Sequence, residues 1–390
     1  MAFVYINSEL TQSNREKIRS GAGIWGQIRE ELRFCGNKHM NEGPWAVTDW
    51  PSKAISGNPH DFYSEAPYWW PDKDPSAPYI RRDGELNPER FDKHLAAFKK
   101  LGMTSCMLAI TGYYLEDKRY FERLALVLDR WFLNPETKMN PHLDYGEAII
   151  NICPGRNAGI ITLVSLNRIV HGLGFLATSS GYEKLIEGMK DWLRQMIHWL
   201  KTSNNGIAER KTGNNHTSWW NTHIATAAAF CGDEETFSGC VEFFKEELLP
   251  KQVEQSGEMP RETSRTRSLH YSLFNTEALS LMCEAAWQKG IDLWNWKTQQ
   301  GVGMLEICRY LLPYLENPFT WPHPQITGDI IDDQIVLHFA ALRMGMKECI
   351  KVNNKLRRGR YLIREQTPIG PLALLEGFEE QYSTAIDPWV

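Results

Sequence analysis

Apolar residues recur at intervals of three and four along most of this chain, the spacing that lines one face of a helix. The pattern predicts helices over 12–34, 89–114, 118–132, 156–177, 182–202, 216–230, 234–248, 266–288, 301–315 and 329–345. In 118–132 the series Phe121, Leu124, Leu126, Val127, Leu128 and Trp131 predicts a buried stripe. Turn-forming pieces such as LNPETKMNPH and FCGDEE separate the helices, and strand-like runs are few and short. Paired helices with short links over about 300 residues predict an all-α fold: an incomplete (α/α) toroid, or barrel, of antiparallel helix pairs. The end of the chain, 351–390, is basic at LRRGRYLIR; it is expected to add a short sheet or to wrap the outside.

One stretch departs from the helical pattern. Residues 35–88 are rich in Pro, Gly, Asp and aromatics and include DFYSEAPYWWPD. An irregular segment that long in a compact protein is usually functional or a linker. So much aromatic surface in a loop predicts a lid that lines a cleft. The expected organisation is one toroid domain over 1–390 with 35–88 as its lid.

Composition narrows the picture. The 390 residues are 42% hydrophobic and 23% charged, the balance of a globular chain. No run approaches the ~18 consecutive apolar residues of a membrane span, so no membrane partner is expected. Lys and Arg total 43 and Asp and Glu 48, a net charge of −5, which argues against nucleic acid as a partner. A polyanionic ligand would have to meet a local basic site. Trp numbers 15 against 14 Tyr and 16 Phe, an excess that fits either a large helical core or a sugar-binding cleft, where a flat indole covers a pyranose face. The 8 cysteines are scattered without a Cys-x-x-Cys pair, which predicts free, buried thiols. No metal site and no cofactor are expected: phosphate-loop, dinucleotide, nucleophile-elbow and His-Glu-x-x-His motifs are all missing, and Asp332-Asp333 has no clustered partners in sequence.

Four constellations could carry chemistry. Gly213-Asn214-Asn215-His216 reads as a helix start with Asn214 or Asn215 as cap, and a helix N-terminus favours an anion. Trp219 shares a face with Asn215, and His223 with His216. Further on, Arg261, Arg265, Arg267, His270 and Tyr271 crowd into RETSRTRSLHYS. Arg267 and Tyr271 are four apart, and a cation beside a phenol would lower its pKa from about 10, as a tyrosine base needs. Arg156, after Pro154-Gly155, is a candidate fork for a carboxylate, with His142 upstream in NPHLDY. Tyr68, Trp69, Trp70 and Arg82 in the aromatic loop offer stacking rings and a guanidinium group to an acidic sugar.

Taken in order, YWWPD, NPHLDY…GRNAGI, NNHTSWW and RETSRTRSLHYS resemble the alginate lyase family and its helical-toroid relatives among polysaccharide lyases. The resemblance runs over roughly 60–290. It implies an incomplete (α/α) toroid that cleaves a uronic-acid polymer by β-elimination without a required metal. It maps the family's Asn-His pair onto Asn215 and His216 and its tyrosine onto Tyr271. The family's arginine falls on Arg265, with Arg267 the competing position. The spacing of arginine and tyrosine is one residue shorter here than in the best-known alginate lyases, as in a sister branch. Substrate-binding roles are expected for Tyr68, Trp69, Trp70, Arg82, His142, Arg156, Trp219, Arg267 and His270.

The chemistry fits those residues. The C5 proton of a uronate lies α to a carboxylate, and removing it builds a second negative charge. Aimed donors must neutralise that group, and each donor removed costs roughly 3–4 kcal/mol. A base takes the proton and an acid protonates the leaving glycosidic oxygen. One tyrosine can do both when proton and leaving group share a face. On opposite faces a second group is needed, and His216 becomes either neutraliser or base according to the sugar epimer. The expected substrate is alginate, with mannuronate preferred and glucuronan as the alternative; a non-catalytic polysaccharide binder would keep the aromatic cleft only. A glycoside hydrolase would need two facing carboxylates, with Glu65, Asp72, Asp144 and Glu262 as candidates. MAFVYINSELTQ does not read as a signal peptide. Because polymers of this kind lie outside the cytoplasm, a secreted or periplasmic protein is expected, its leader missing from this chain.

Overall fold

Helices of two kinds alternate along the chain, and burial separates them. The computed structural model describes residues 3–74, 76–328, 331–357, 361–365 and 369–378. The chain opens with α1 (Ser8–Ser20) and α2 (Ile24–Met40). After a long irregular stretch come α3 (Lys93–Tyr114), α4 (Lys118–Leu128), α5 (Val164–Leu176), α6 (Glu183–Thr202), α7 (Asn204–Arg210), α8 (Asn215–Cys231) and α9 (Glu234–Phe243). Two single-turn helices, α10 (Leu249–Gln252) and α11 (Pro260–Thr263), precede α12 (Ser268–Trp287), and α13 (Met304–Glu316), α14 (Ile335–Arg343) and α15 (Glu348–Leu356) follow.

In α4, α6 and α13 a single apolar stripe is buried, as in α6 with Ile186, Met189, Leu193, Met196, Ile197 and Leu200. Helices α3, α5, α8 and α12 are buried on nearly every side and carry small or apolar residues all round. A helix of that composition must lie inside a structure. These inner helices pack in the order α3, α5, α8, α12, α14, and the amphipathic helices return between them on the outside. The result is an (α/α) toroid. Its open seam, between α14 and the first helices, is filled by residues 369–378. There Asn14 donates to Leu374 O at 2.9 Å, Glu376 O lies 2.9 Å from His338 Nε2, and Gly370 sits against Ile110 and Cys106.

One end of the ring is plugged. Phe3 packs on Phe175 and Tyr113, and the Tyr5 hydroxyl bonds Thr226, all near the C-terminal ends of α3, α5 and α8. The other end holds the N-termini of the inner helices and carries the irregular segment. Their dipoles present positive ends there, which favours an anionic ligand. In that segment β1 (Tyr63–Glu65) pairs in parallel with a later strand, β4 (Tyr145–Ala148). Between them in sequence, β2 (Trp69–Trp70) and β3 (Ile80–Arg81) form a small antiparallel hairpin.

The structure corrects several expected boundaries. The helix expected over 12–34 is two helices, because Gly21 (φ 66°) and Gly23 (φ 54°) take left-handed or otherwise non-helical conformations. The apolar spacing of Ile18, Trp25, Ile28 and Leu32 runs straight across that break. The irregular segment expected from 35 begins after Met40, since Gly36 and His39 continue the buried face of α2. In 156–177 the first turns, Asn157–Leu163, are 3₁₀. The ends of 118–132 and 234–248 widen into π-turns at Asp129–Leu133 and Phe244–Leu248. Helix α14 starts only at Ile335; residues 329 and 330, also in the expected helix, lie outside the described residues. Helices α7, α10, α11 and α15 were not expected; in 351–390 the described residues form the end of α15, a segment 361–365 bonded to Glu31 of α2 and the buried segment 369–378 in the seam, while 358–360, 366–368 and 379–390 lie outside the described residues. Asn157–Leu176 is long and apolar enough to cross a membrane by length and composition, contrary to the sequence expectation, but its apolarity is accounted for by burial in the inner ring. Of the eight cysteines, all free, five are buried and Cys35, Cys153 and Cys231 are partly exposed.

Candidate active site

The N-terminus of α8 is built by Gly213 and Asn214. Gly213 has φ 71°, and a Cβ there would lie 2.4 Å from Arg261 Nη1. Asn214 is the cap: its Oδ1 accepts from the His216 amide at 3.1 Å. Asn215 is therefore inside the first turn, with its side chain free for another partner. Its backbone N–H donates to Glu262 Oε1 at 2.5 Å and its Nδ2 to Glu262 Oε2 at 2.7 Å. Glu262, on α11, is 1% exposed. Burial raises its pKa, against the pull of the two Asn215 donors and of Arg265 and His216 nearby. This carboxylate ties the helix start to the arginine segment.

His216 has a buried partner of its own. Its Nδ1 lies 2.6 Å from Glu209 Oε1 on α7, and the other Glu209 oxygen accepts from Asn157 Nδ2 at 2.8 Å. The Glu209 side chain is wholly buried, and the imidazole keeps about a fifth of its surface exposed. Burial alone would hold this histidine neutral; the Glu209 carboxylate overrides it, helped by Glu147 and Glu262, and the His216 pKa rises above its ordinary value. Glu147 lies at the end of a second pair, 2.5 Å from Arg156 Nη2. Gly146 and Gly159 let strand β4 and the turn after Arg156 approach this closely, since a Cβ on Gly159 would sit 2.5 Å from Gly146 C.

Tyr271, in the first turn of α12, is 7% exposed. Its hydroxyl lies 2.7 Å from that of Tyr68, which descends from the aromatic loop. The Arg265 guanidinium lies over its ring, 3.8 Å from the centroid. Arg265 also forks onto Asp83 of the same loop, with Nη2 to Oδ1 at 2.9 Å and Nε to Oδ2 at 3.2 Å. Thr266 Oγ1 and Arg81 Nη2 complete the shell of Asp83 at 2.9 and 2.7 Å. Burial would raise the Asp83 pKa, but these donors hold it down at about 2. Two expectations are corrected here. The residue beside the phenol is Arg265: Arg267, although its carbonyl accepts from the Tyr271 amide at 3.0 Å, is the N-cap of α12 with non-helical angles (φ −117°, ψ 56°), and its Nε donates to Thr327 Oγ1 at 3.0 Å. The Tyr271 pKa is raised, not lowered: burial dominates, the Tyr68 hydroxyl adds to it, and Arg265 offsets only part.

The other expected residues divide. His270 touches the Tyr271 ring edge at 5.3 Å and stacks on Phe274 at 6.0 Å. Both line a cavity of about 940 Å³ that continues past Trp321 and His323 and reaches Glu277. Trp69 and Trp70 are half-buried on β2, and Arg82 lies over Trp70 at 4.8 Å. His142 is held between Asp61 at 3.1 Å and Asp144 at 3.3 Å, and none of these contacts joins it to Tyr271. Trp219 does not face a cleft: it is fully buried, stacked on His223 and packed against Phe274, so its position near Asn215 on the helix serves the core. Each acidic candidate for hydrolysis already accepts a hydrogen bond, Glu262 within the site and the other three outside it. Glu65 accepts from Phe91 N, Asp72 from Asp74 N, Asp144 from Trp199 Nε1, and Glu262 from Asn215. Glu209, Asn157, Glu147 and Asp83 were missed as site residues. Asp83 had a signal in its place beside Arg81-Arg82 in the loop, and Asn157 in its place within GRNAGI.

The arrangement brings a phenol, an imidazole, an amide and a guanidinium together at the open end of the ring. It can receive a carboxylate and shuttle a proton. The alginate lyase family model matches residues 46–321. A crystal structure of an alginate lyase from Bacteroides ovatus superposes with a TM-score of 0.85 at 27% identity, over 95% of this chain and 98% of that one. Alginate lyase A1-III from Sphingomonas species A1 superposes with a TM-score of 0.59 at 16% identity, over 94% and 93%. A histidine-to-alanine variant of alginate lyase A1-III, complexed with a tetrasaccharide, does so at 0.61 and 16%, again over 94% and 93%. At these last identities the likeness concerns the fold. No curated protein matches the chain.

Proposed function

Because this chain belongs to the alginate lyase family, and so among the polysaccharide lyases, we propose that it cleaves mannuronate-containing alginate by β-elimination at Tyr271. The observation that carries this reading is the Tyr271 hydroxyl, held beneath Arg265 and against Tyr68 at the open end of the ring. The substrate carboxylate is neutralised by His216 and Asn215, with Arg265 adding positive charge from its place on the Tyr271 ring. Tyr271 takes the C5 proton, the C4–O bond breaks as the C4–C5 double bond forms, and the tyrosine returns a proton to the departing oxygen. The phenol must first give up its own proton, and the partly exposed Tyr68 is the group within hydrogen-bond reach to receive it while relaying its own to solvent. The half-buried rings of Tyr68, Trp69 and Trp70, with Arg82 and His270, hold neighbouring sugars.

The Glu209 contact, which favours the charged form of His216, supports mannuronate. An imidazolium paired to Glu209 can neutralise a carboxylate but cannot accept a proton. That leaves one tyrosine to serve as base and acid on one face of the sugar. The C5 proton and C4 oxygen share a face in mannuronate and lie on opposite faces in guluronate. Glucuronate has the mannuronate arrangement at C4 and C5, so glucuronan is the runner-up polymer. The test is ultraviolet absorbance during incubation with polymannuronate, polyguluronate, glucuronan and a neutral glucan. Polymannuronate should give the rising signal of an unsaturated uronate. A response to glucuronan alone would move the assignment there, and tight binding with no product from any polymer would indicate a non-catalytic relative.

A further inference from the structure

We infer that Glu209 is a positioning residue for the elimination: it accepts the hydrogen bond of His216 Nδ1–H and favours the doubly protonated ring, whose Nε2–H then meets the substrate carboxylate. The inference rests on the function proposed above and deepens it. A carboxylate without its own proton only accepts, so the ring nitrogen 2.6 Å away must donate. With Nδ1–H committed to Glu209, Nε2 carries a proton only in the imidazolium, the form that an adjacent carboxylate favours. Glu209 cannot turn away from this task. Its side chain has no exposed surface, and its second oxygen is anchored by Asn157 Nδ2 at 2.8 Å. Its backbone carbonyl accepts from Thr212 and Thr217 hydroxyls, each at 3.0 Å, which locks α7 beneath the start of α8. His216 Nε2 makes no hydrogen bond among the described residues, and the ring is partly exposed. In the imidazolium it is the donor left over for a ligand.

The charges around the imidazole have the same sense. Glu209 lies on α7, Glu147 on β4 and Glu262 on α11; all three favour the imidazolium. Glu147 is itself paired with Arg156, and Glu262 is shared between Asn215 and the field of Arg265. Of the three, Glu209 is the carboxylate within hydrogen-bond distance of the ring.

The test is the titration of His216 itself, followed by NMR of histidine-labelled protein with the resonance assigned through His216→Asn. In the wild type it should titrate above free histidine. In Glu209→Gln the midpoint should fall by at least about one unit, which lowers the protonated fraction about tenfold at any pH above both midpoints. The alkaline limb of kcat/KM should move down by the same amount, with the loss largely recovered at low pH. Asn157→Ala, which frees the second oxygen, should give a smaller shift in the same direction and serves if Glu209→Gln does not fold. An unshifted His216 in a folded Glu209→Gln protein would overturn the inference, as would a wild-type midpoint below free histidine. Absence of unsaturated product from wild type would instead strike the proposed reaction, leaving the titration to be judged alone.

Discussion

The Arg265 guanidinium lies over the Tyr271 ring, 3.8 Å from its centroid, although Arg267 stands at the spacing that would favour it on a regular helix. Arg267 is instead the cap residue of α12, bridged to Gln325 and bonded to Thr327. The two arginines should therefore behave differently. Arg265→Ala should lose on the order of 10²–10³ in kcat, the range seen when one preorganised donor is removed. Arg267→Ala should lose less than about tenfold in kcat. Initial rates on polymannuronate, measured side by side, check this; a larger loss at Arg267 would reverse the assignment.

Asp83 joins the aromatic loop to the site through Arg265, Thr266 and Arg81. Its pKa of about 2 lies below the ordinary aspartate value, so its contribution is present above the unfolded pKa and is lost only as pH falls toward 2. The latch should hold unchanged from pH 5 to 9. Asp83→Asn should loosen it: limited proteolysis within 67–87 should speed up, and kcat should fall by about tenfold, less than for Arg265→Ala. Cleavage at the wild-type rate would mean the loop is held by Tyr68 and the hairpin alone.

The regular parts of this fold could be read from periodicity, and the site only in part. Glu183–Thr202 and Asn215–Cys231 lie within two residues of the helices expected, because each is long and uninterrupted. The break between Ser20 and Ile24 is a matter of glycine backbone angles, which apolar spacing does not record. Tyr271, His216, Asn215 and Tyr68 stood out by residue type and resemblance. Glu209 sits in the polar heptad NNGIAER, whose helix has no apolar stripe to reveal it. Its role depends on a fold that brings α7 beneath α8. Asp83 and Arg265 are 182 positions apart, and no local pattern predicts such a pair. Trp219 was misread because a helix face that points toward Asn215 also points into the core.

Glu277 reaches the cavity six residues after Tyr271 on α12. Burial pushes its pKa up to about 7, against a weaker pull from Arg168. A carboxyl raised on folding contributes stability that is complete below its unfolded pKa and is lost as pH rises through the folded value. Glu277→Gln should therefore differ little from wild type near pH 4 and be the more stable protein at pH 8, by on the order of 2–3 kcal/mol. Denaturant melts at the two pH values measure it. A stability difference that does not change with pH would show that Glu277 is not strained by its setting.

Arg343 and Glu284 form a buried pair, 4% and 1% exposed, at 2.9 Å. The same guanidinium bonds Glu376 at 2.8 Å and lies over Trp287, so it joins α12 and α14 to the segment that fills the seam. Removing one member of such a pair leaves a buried charge and costs about 3–5 kcal/mol. Arg343→Met should lower Tm while leaving kcat near wild type well below the transition. A drop in kcat without a drop in Tm would mean the seam communicates with the site.

The most direct measurement is the rate of unsaturated-uronate formation by Tyr271→Phe on polymannuronate, alongside its binding of an oligomannuronate. The variant removes one oxygen and its proton and leaves the ring beneath Arg265. Turnover should fall by at least about 10³-fold while binding changes by less than about tenfold, the pattern of a group that acts only in the transition state. A loss of less than tenfold in rate would contradict Tyr271 as the residue that takes and returns the proton.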